Sequence, residues 1–190
     1  MAEEGADREQ NGVAAWTDEP VRLVPSDPAW PRRFEEERDA LMIAIGAWAP
    51  GGIHHVGSTA VPGLDAKPVI DILVGTRGLA ASRACFEPLA RLSYLYAPYR
   101  SEEMHWFCKP HPSRRTHHPH LVPTGSQRFH DELAFRDYLR TNPAATRDYG
   151  ALKRRLAAEF ADDREAYTAA KTEFIRGALR DLSAKAPKTY

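Results

Sequence analysis

The sequence predicts a single α+β domain. Two short strand-like segments, Ile53–Val56 and the near-continuously apolar Val69–Val74, flank a Gly-Ser corner, and a second pair follows at 104–108 and 117–122. The last third of the chain, by contrast, carries helical periodicity. At 190 residues and 43% apolar content the chain suffices for one sizeable core. Residues 1–19 mix Glu3, Glu4, Asp7, Glu9, Asp18 and Glu19 with few apolar groups, so they cannot bury enough surface to offset ordering and are expected to form a disordered acidic tail. The domain then runs over 20–183, and 184–190 reads as a second tail.

The elements follow in order. Val21–Val24 alternates like a short strand, Pro25-Ser26-Asp27-Pro28 supplies a helix start, and Trp30, Phe34, Leu41, Ile45 and Trp48 recur at helical spacing. Ala49-Pro50-Gly51-Gly52 breaks that helix, Ile53–Val56 forms a strand, and Gly57 turns the chain. The near-continuous apolar character of Val69–Val74 implies a strand covered on both faces, interrupted only by Asp71. Leu79–Leu92 reads as a helix kinked or shortened by Pro88, and Met104–Cys108 and His117–Val122 as strands. Pro119 has no N–H to donate, which predicts an edge strand or a bulge there. Three helices are expected at 126–140, 143–161 and 163–182, divided by Thr141-Asn142-Pro143 and Asp162-Asp163. Their inward stripes would be Phe129 and Leu133; Tyr149, Leu152, Leu156 and Phe160; and Tyr167, Phe174, Ala178 and Leu182.

Charge narrows the partners. Lys+Arg at 26 balances Asp+Glu at 26, so no overall field recruits nucleic acid or an anionic membrane, and a small-molecule partner is expected. No apolar run approaches the roughly 18 residues that span a bilayer, and no secretory leader is recognisable. Cys85 and Cys108 match no metal-ligand spacing, which fits small apolar packing in a reducing compartment, and a cytoplasmic location is expected. Oligomeric state is left open.

The stretch from His54 to Val74 carries the chemistry. A glycine at 57 lets backbone N–H groups approach a phosphate, the hydroxyls of Ser58 and Thr59 add donors, and Asp71 is placed to hold a divalent cation against the same group. A carboxylate in an apolar strand is expensive unless compensated, so Asp71 is expected at a strand end facing a cleft; pairing with Lys67 or capping a helix is the plainer alternative. Five of the eight histidines, His105, His111, His117, His118 and His120, crowd one region. On a strand His118 and His120 share a face, able to complete a cation shell with Asp71 or to act as a general base. Imidazole would favour a transition metal over magnesium. A solvated loop, or a phosphate patch with Arg114 and Arg115, is the alternative. Arg136 falls on the inward face of its helix and needs an anionic partner: Asp71, another acid, or a substrate phosphate. Tyr149 and Lys153 share a face beside Leu156, where they either reach toward a phosphate or, with Arg154 and Arg155, form an ordinary solvated surface. Lys67, near the corner, carries the same ambiguity.

The run Gly57-Ser58-Thr59-Ala60-Val61-Pro62-Gly63-Leu64 with Lys67-Pro68-Val69-Ile70-Asp71-Ile72 resembles the GrpB-like family, a branch of the nucleotidyltransferase superfamily. Trp30 with Phe34, His118-x-His120-Leu121-Val122, Phe135-Arg136-Asp137-Tyr138-Leu139-Arg140 and Tyr149-x-x-Leu152-Lys153 resemble its other landmarks, so the likeness spans about 20–182. It implies a nucleotidyltransferase-like mixed β-sheet with packed helices, Gly57 and Ser58 at a triphosphate-binding turn, Asp71 as a metal-binding acid, and Tyr149 and Lys153 as triphosphate contacts. Enzymes of that superfamily generally pair two acids as Asp-x-Asp or Asp-x-Glu; here Leu73 stands at the second position and His120 near the place of a third acid.

Two functions follow as expectations. One is a nucleotidyltransferase using a nucleoside triphosphate and a divalent cation, magnesium in the ordinary case, on an unidentified acceptor. Gly57, Ser58 and Thr59 would cradle phosphate, Lys67, Arg136 and Lys153 would offset its charge, Asp71 with His120 would hold the cation, and His118 or His120 would take the acceptor's proton. The other is a nucleotide- or coenzyme-binding accessory protein that has lost catalysis, since the resemblance also implies occasional fusion to dephospho-coenzyme A kinases and a suggested role in folding assistance. A pocket turned to non-nucleotide chemistry is a third course.

Overall fold

The computed structural model describes residues 20–111 and 113–185. The expected N-terminal tail at 1–19 lies outside them, as do residues 186–190.

Helix α1 (Trp30–Ile45) has proline in its first turn, where no intrahelical N–H is needed, and the Asp27 carboxylate accepts from the Ala29 N–H at 2.8 Å. It buries Trp30, Phe34, Glu37, Leu41 and Ile45. Trp48, expected on the same stripe, leaves the helix in the 3₁₀ turn Gly46–Trp48 and is exposed. The expected strand Val21–Val24 is a correction: only Val24 pairs, through an isolated bridge to Ala66, while the Val21 N–H turns to the Ala161 carbonyl. Proline at 20 and 25 brackets the segment and leaves no donors with which to lengthen a ladder.

Five strands form one mixed sheet: β1 (Ile53–Val56), β2 (Ile70–Thr76), β3 (Leu95–Tyr96), β4 (His105–His111) and β5 (Arg114–Pro123), in the order β1-β2-β5-β4-β3. Only β2 and β5 run parallel; the other pairs are antiparallel. The expected helix Leu79–Leu92 is broken into α2 (Leu79–Ser82), a 3₁₀ turn and α3 (Phe86–Arg91). Pro88 falls in the first turn of α3, where its missing N–H leaves no hydrogen bond unmade. Pro119 is a second correction, because β5 is central and not an edge. Its pairing with β2 is unbroken, Ile72 opposite Pro119, but pairing with β4 lapses between Trp106↔His120 and Lys109↔His117. The missing donor is thus absorbed by a local gap on one side of the strand.

Three capped helices and a fourth complete the chain. Ser126 accepts from Phe129 N at the start of α4 (Gln127–Thr141), Asn142 from Ala145 N at α5 (Pro143–Glu159), and Asp163 from Ala166 N at α6 (Arg164–Ala170). The expected helix 163–182 divides at Lys171, and α7 (Thr172–Lys185) reaches two residues into the segment read as a tail.

The sheet separates two cores. On one face α1 and α3 cover Ile53, Ile70, Ile72, Val74, Phe107 and Leu121. On the other, Val56, Leu73, Met104 and Val122 meet Phe129 of α4, and beyond them Val61, Leu64, Leu139, Ala145 and Tyr149 form a further cluster with α5. Cys85 and Cys108 are free thiols buried in these layers. Among the described residues no helix is long and apolar enough to cross a membrane.

The first face also holds a closed ion-pair network. Glu37 accepts from Lys109 Nζ at 2.7 and 2.6 Å and from the Tyr94 hydroxyl at 2.8 Å, and burial with the neighbouring carboxylate drives the Tyr94 pKa upward. Removing one partner strands a buried ammonium group. Glu37→Leu is expected to lower unfolding free energy by about 3 kcal/mol, whereas the double variant with Lys109→Met regains most of the loss, both read by urea denaturation.

Candidate functional site

The register that builds the sheet also gathers the polar residues. Val56 lies opposite Asp71 across β1 and β2, and Asp71 opposite His118 and Leu73 opposite His120 across β2 and β5. Directly opposed residues project to the same face, so Asp71, His118 and His120 emerge together on the α4 side.

Gly57 ends β1 with φ +68° and ψ −170°, a conformation open to glycine. A Cβ there would lie 2.3 Å from Asp71 Oδ2 and 3.0 Å from Asp71 Cγ. Corner and carboxylate are therefore in direct contact. The corner is anchored from several sides: Arg136 donates to the His55 carbonyl at 3.1 Å, Arg140 Nε to the Ala60 carbonyl at 2.8 Å, and the Thr59 hydroxyl to the Val69 carbonyl at 3.1 Å. His55 Nε2 donates to the same Thr59 hydroxyl at 3.0 Å while its ring stacks on Phe34, and burial pushes its pKa down to about 4.

Two imidazole–carboxylate pairs stand side by side. His118 Nδ1 donates to Asp71 Oδ1 at 3.2 Å, and His120 Nδ1 to Glu132 Oε2 of α4 at 3.4 Å. Burial pushes the Asp71 carboxyl up, but the His118 hydrogen bond and the field of the neighbouring imidazoles outweigh it and hold the pKa below the ordinary range. Burial dominates at His118 and lowers its pKa below the ordinary imidazole value, against the pull of Asp71. Glu132 pairs further with Arg128 at 2.9 Å, and Arg128 reaches Glu103 at 2.6 Å. Trp106 packs on His118 with ring centroids 4.7 Å apart, and His118 Nε2 is buried without a hydrogen-bond partner.

A cationic wall from α5 to α7 completes the site. Lys153 is 1% exposed, donates to the Asp65 carbonyl and lies 5.2 Å from the Tyr149 ring centre. Lys171, at the α6–α7 junction, stands 4.0 Å from the Tyr167 ring centre. Burial first, then repulsion from Lys171, lowers Lys153 to about 7. Lys171 falls to about 8, again chiefly through burial, with Asp71 opposing the shift and Lys67 and Arg164 adding to it. Both lysines, Lys67 and Tyr149 thus act electrostatically on the Asp71–His118 pair or feel its charge.

Several expected roles change in this setting. Thr59 is buried, with its hydroxyl bonded inward, so it supports the corner from within. Arg136 finds its partners in the His55 carbonyl and in Asp137, at 2.7 Å, instead of Asp71 or an open phosphate position. Lys153 is buried, which removes the solvated-face alternative. Ser58 opens the 3₁₀ turn Ser58–Ala60 at half exposure, beside Gly57. Among the described residues no group of three or more His, Cys, Asp or Glu side chains is placed to hold a metal ion, and His118 and His120 turn to different carboxylates. Glu132 and Lys171 were not foreseen. Their signals lie in helical spacing, Glu132 three residues after Phe129 and Lys171 four after Tyr167, which places each on an inward stripe.

Fold and site define an α+β domain whose mixed sheet ends in a glycine corner against a carboxylate, faced by a wall of lysines. The chain belongs to the GrpB family, whose model, described as GrpB protein, matches residues 20–181. It is 41% identical over 164 residues to a UPF0157 protein of Pseudomonas aeruginosa, covering 83% of this chain and 66% of that protein. The crystal structure of the conserved protein GrpB from Enterococcus faecalis superposes with a TM-score of 0.76 at 33% identity, covering 85% of this chain and 99% of the other. A protein of Mycolicibacterium paratuberculosis named dephospho-CoA kinase is 33% identical over 186 residues, covering 85% of this chain and 46% of its own length.

Two outcomes follow from this geometry. Gly57→Ala is expected to lower stability by about 2 kcal/mol, from backbone strain and displacement of Asp71, as read by urea denaturation. His55 is neutral when folded, its pKa of about 4 lying below the ordinary value of 6.5, so its stabilising contribution is present above pH 6.5 and is lost as pH falls toward 4. The expected loss is on the order of 3 kcal/mol, seen as a falling urea midpoint that is blunted in His55→Gln.

Proposed function

We propose that the region between the Gly57 corner and the lysines Lys153 and Lys171 binds the phosphate groups of a nucleotide or a nucleotide-bearing coenzyme. The observation that carries this reading is the pairing of Lys153 and Lys171, two half- to fully buried amines whose pKa values of about 7 and about 8 are lowered by burial and by neighbouring cations. Asp71, and Asp65 at Lys153, offset only part of the cost of burying these amines, and a phosphate group would supply further anionic charge while the corner offers backbone donors. The name dephospho-CoA kinase on a relative is compatible with a phosphate-rich coenzyme as the ligand.

Catalysis is the second reading, favoured by Asp71, whose carboxylate is 30% exposed against the corner. A divalent cation bound there would neutralise triphosphate charge and make the site a nucleotidyltransferase centre. The residues as placed do not form a ready shell, and Leu73, wholly buried, offers no second acid. Binding is therefore the primary reading.

The test is calorimetric titration of ATP, coenzyme A and dephospho-coenzyme A, each with magnesium and with EDTA, at pH 6.5 and 8.5. Both lysines are charged below their pKa values, so affinity is expected to fall on the order of tenfold as pH rises across that interval. Lys153→Met should weaken binding by about the same factor at pH 6.5 and flatten the pH dependence. Equal affinity with EDTA supports binding alone. Magnesium-dependent turnover abolished by Asp71→Ala would instead establish the catalytic reading, and no binding of any of the three ligands would end both.

A further inference from the structure

We propose that His120 is a nucleophile, forming a covalent phosphoramidate with a nucleoside triphosphate bound beside the Gly57 corner. This rests on the phosphate-binding reading above and adds the reacting atom. Two features single out His120. Its Nδ1 is turned to the Glu132 carboxylate at 3.4 Å, so the proton resides there and Nε2 keeps its lone pair. Glu132 is itself fixed, through Arg128 at 2.9 Å and Arg128 to Glu103 at 2.6 Å. A carboxylate that orients an imidazole and stabilises its cationic form is the arrangement by which nucleophilic and basic histidines are activated. His118 has the same kind of partner, but its Nε2 is sealed beneath the Trp106 packing, whereas the His120 side chain retains 15% exposure.

The electron count closes without a metal. The Nε2 lone pair attacks phosphorus, an N–P bond forms, and the phosphoanhydride P–O bond breaks with its electron pair leaving on oxygen. Attack at the α-phosphorus expels pyrophosphate; attack at the γ-phosphorus expels nucleoside diphosphate. No proton leaves the ring, because the resulting cationic imidazole keeps Nδ1–H on Glu132. Lys153 and Lys171, which both feel the charge of Asp71 on the neighbouring strand, would stabilise the departing anion. A hydroxyl acceptor or water then takes the group, loses its proton to solvent and restores the neutral ring.

The experiment incubates the full chain with ATP labelled at the α- or the γ-position, in EDTA, beside a binding titration of the same sample. A label that is acid-labile and alkali-stable, mapped by tandem mass spectrometry to His120, is expected, and the labelled position tells which phosphorus is attacked. Glu132→Gln should slow labelling at least tenfold, with partial rescue by Glu132→Asp, which a purely structural role would not produce. Nucleotide binding without label, or a label at another residue, overturns this inference and leaves the phosphate-binding reading standing. Absence of both binding and label overturns the two together.

Discussion

The site depends on a contact that only a bare α-carbon permits. Gly57 lies so close to the Asp71 carboxylate that a methyl group would have to occupy the space of Oδ2. Because β1 ends where β2 begins, that contact brings a backbone turn and an acid to the same end of the sheet. The turn does not hold itself. Arg136 and Arg140 from α4 bond carbonyls on either side of it, and Thr59 ties it to Val69 underneath. A charge left 30% exposed at such a place keeps part of its hydration, while His118 stabilises the remainder.

The two faces of the sheet treat charge in opposite ways. Beneath α1 the ionic groups are closed on one another, Glu37 accepting from both Lys109 and Tyr94, so nothing there asks for a ligand. On the α4 side the acids are matched to imidazoles and the lysines are crowded against aromatic rings and a carbonyl. Burial there lowers the lysine pKa values, to about 7 at Lys153 and about 8 at Lys171. The same sheet thus carries a closed ionic network on one face and buried, partly compensated charges on the other.

Local patterns made most of the elements legible. The caps Ser126, Asn142 and Asp163 stand where the helices begin, and the segments read as strands at β1 and β2 form neighbouring strands. Errors arose where tertiary pairing overrode local chemistry. Pro119 occupies a central strand because the adjoining ladder opens around it, and Val21–Val24 gains a single bridge because flanking prolines limit it. Strand β3, two residues long, has no periodicity to detect. Within the site Asp71, Gly57, Tyr149 and Lys153 were visible as residues, but Thr59 and Arg136 faced other partners than expected, and Glu132 and Lys171 came from helices whose stripes had been read as apolar alone.

What the sequence by itself determined is therefore the inventory: an α+β domain, a glycine corner, an acid in an apolar strand, paired histidines and a helical final third. These follow from short-range rules, the periods of strand and helix and the special freedom of glycine. Which carboxylate meets which imidazole, and which lysines are driven together, was decided by the parallel register of β2 with β5 and by the packing of α4 to α7 across that face. Such pairings join residues far apart in the chain, so no local pattern encodes them and only the closed fold selects among them.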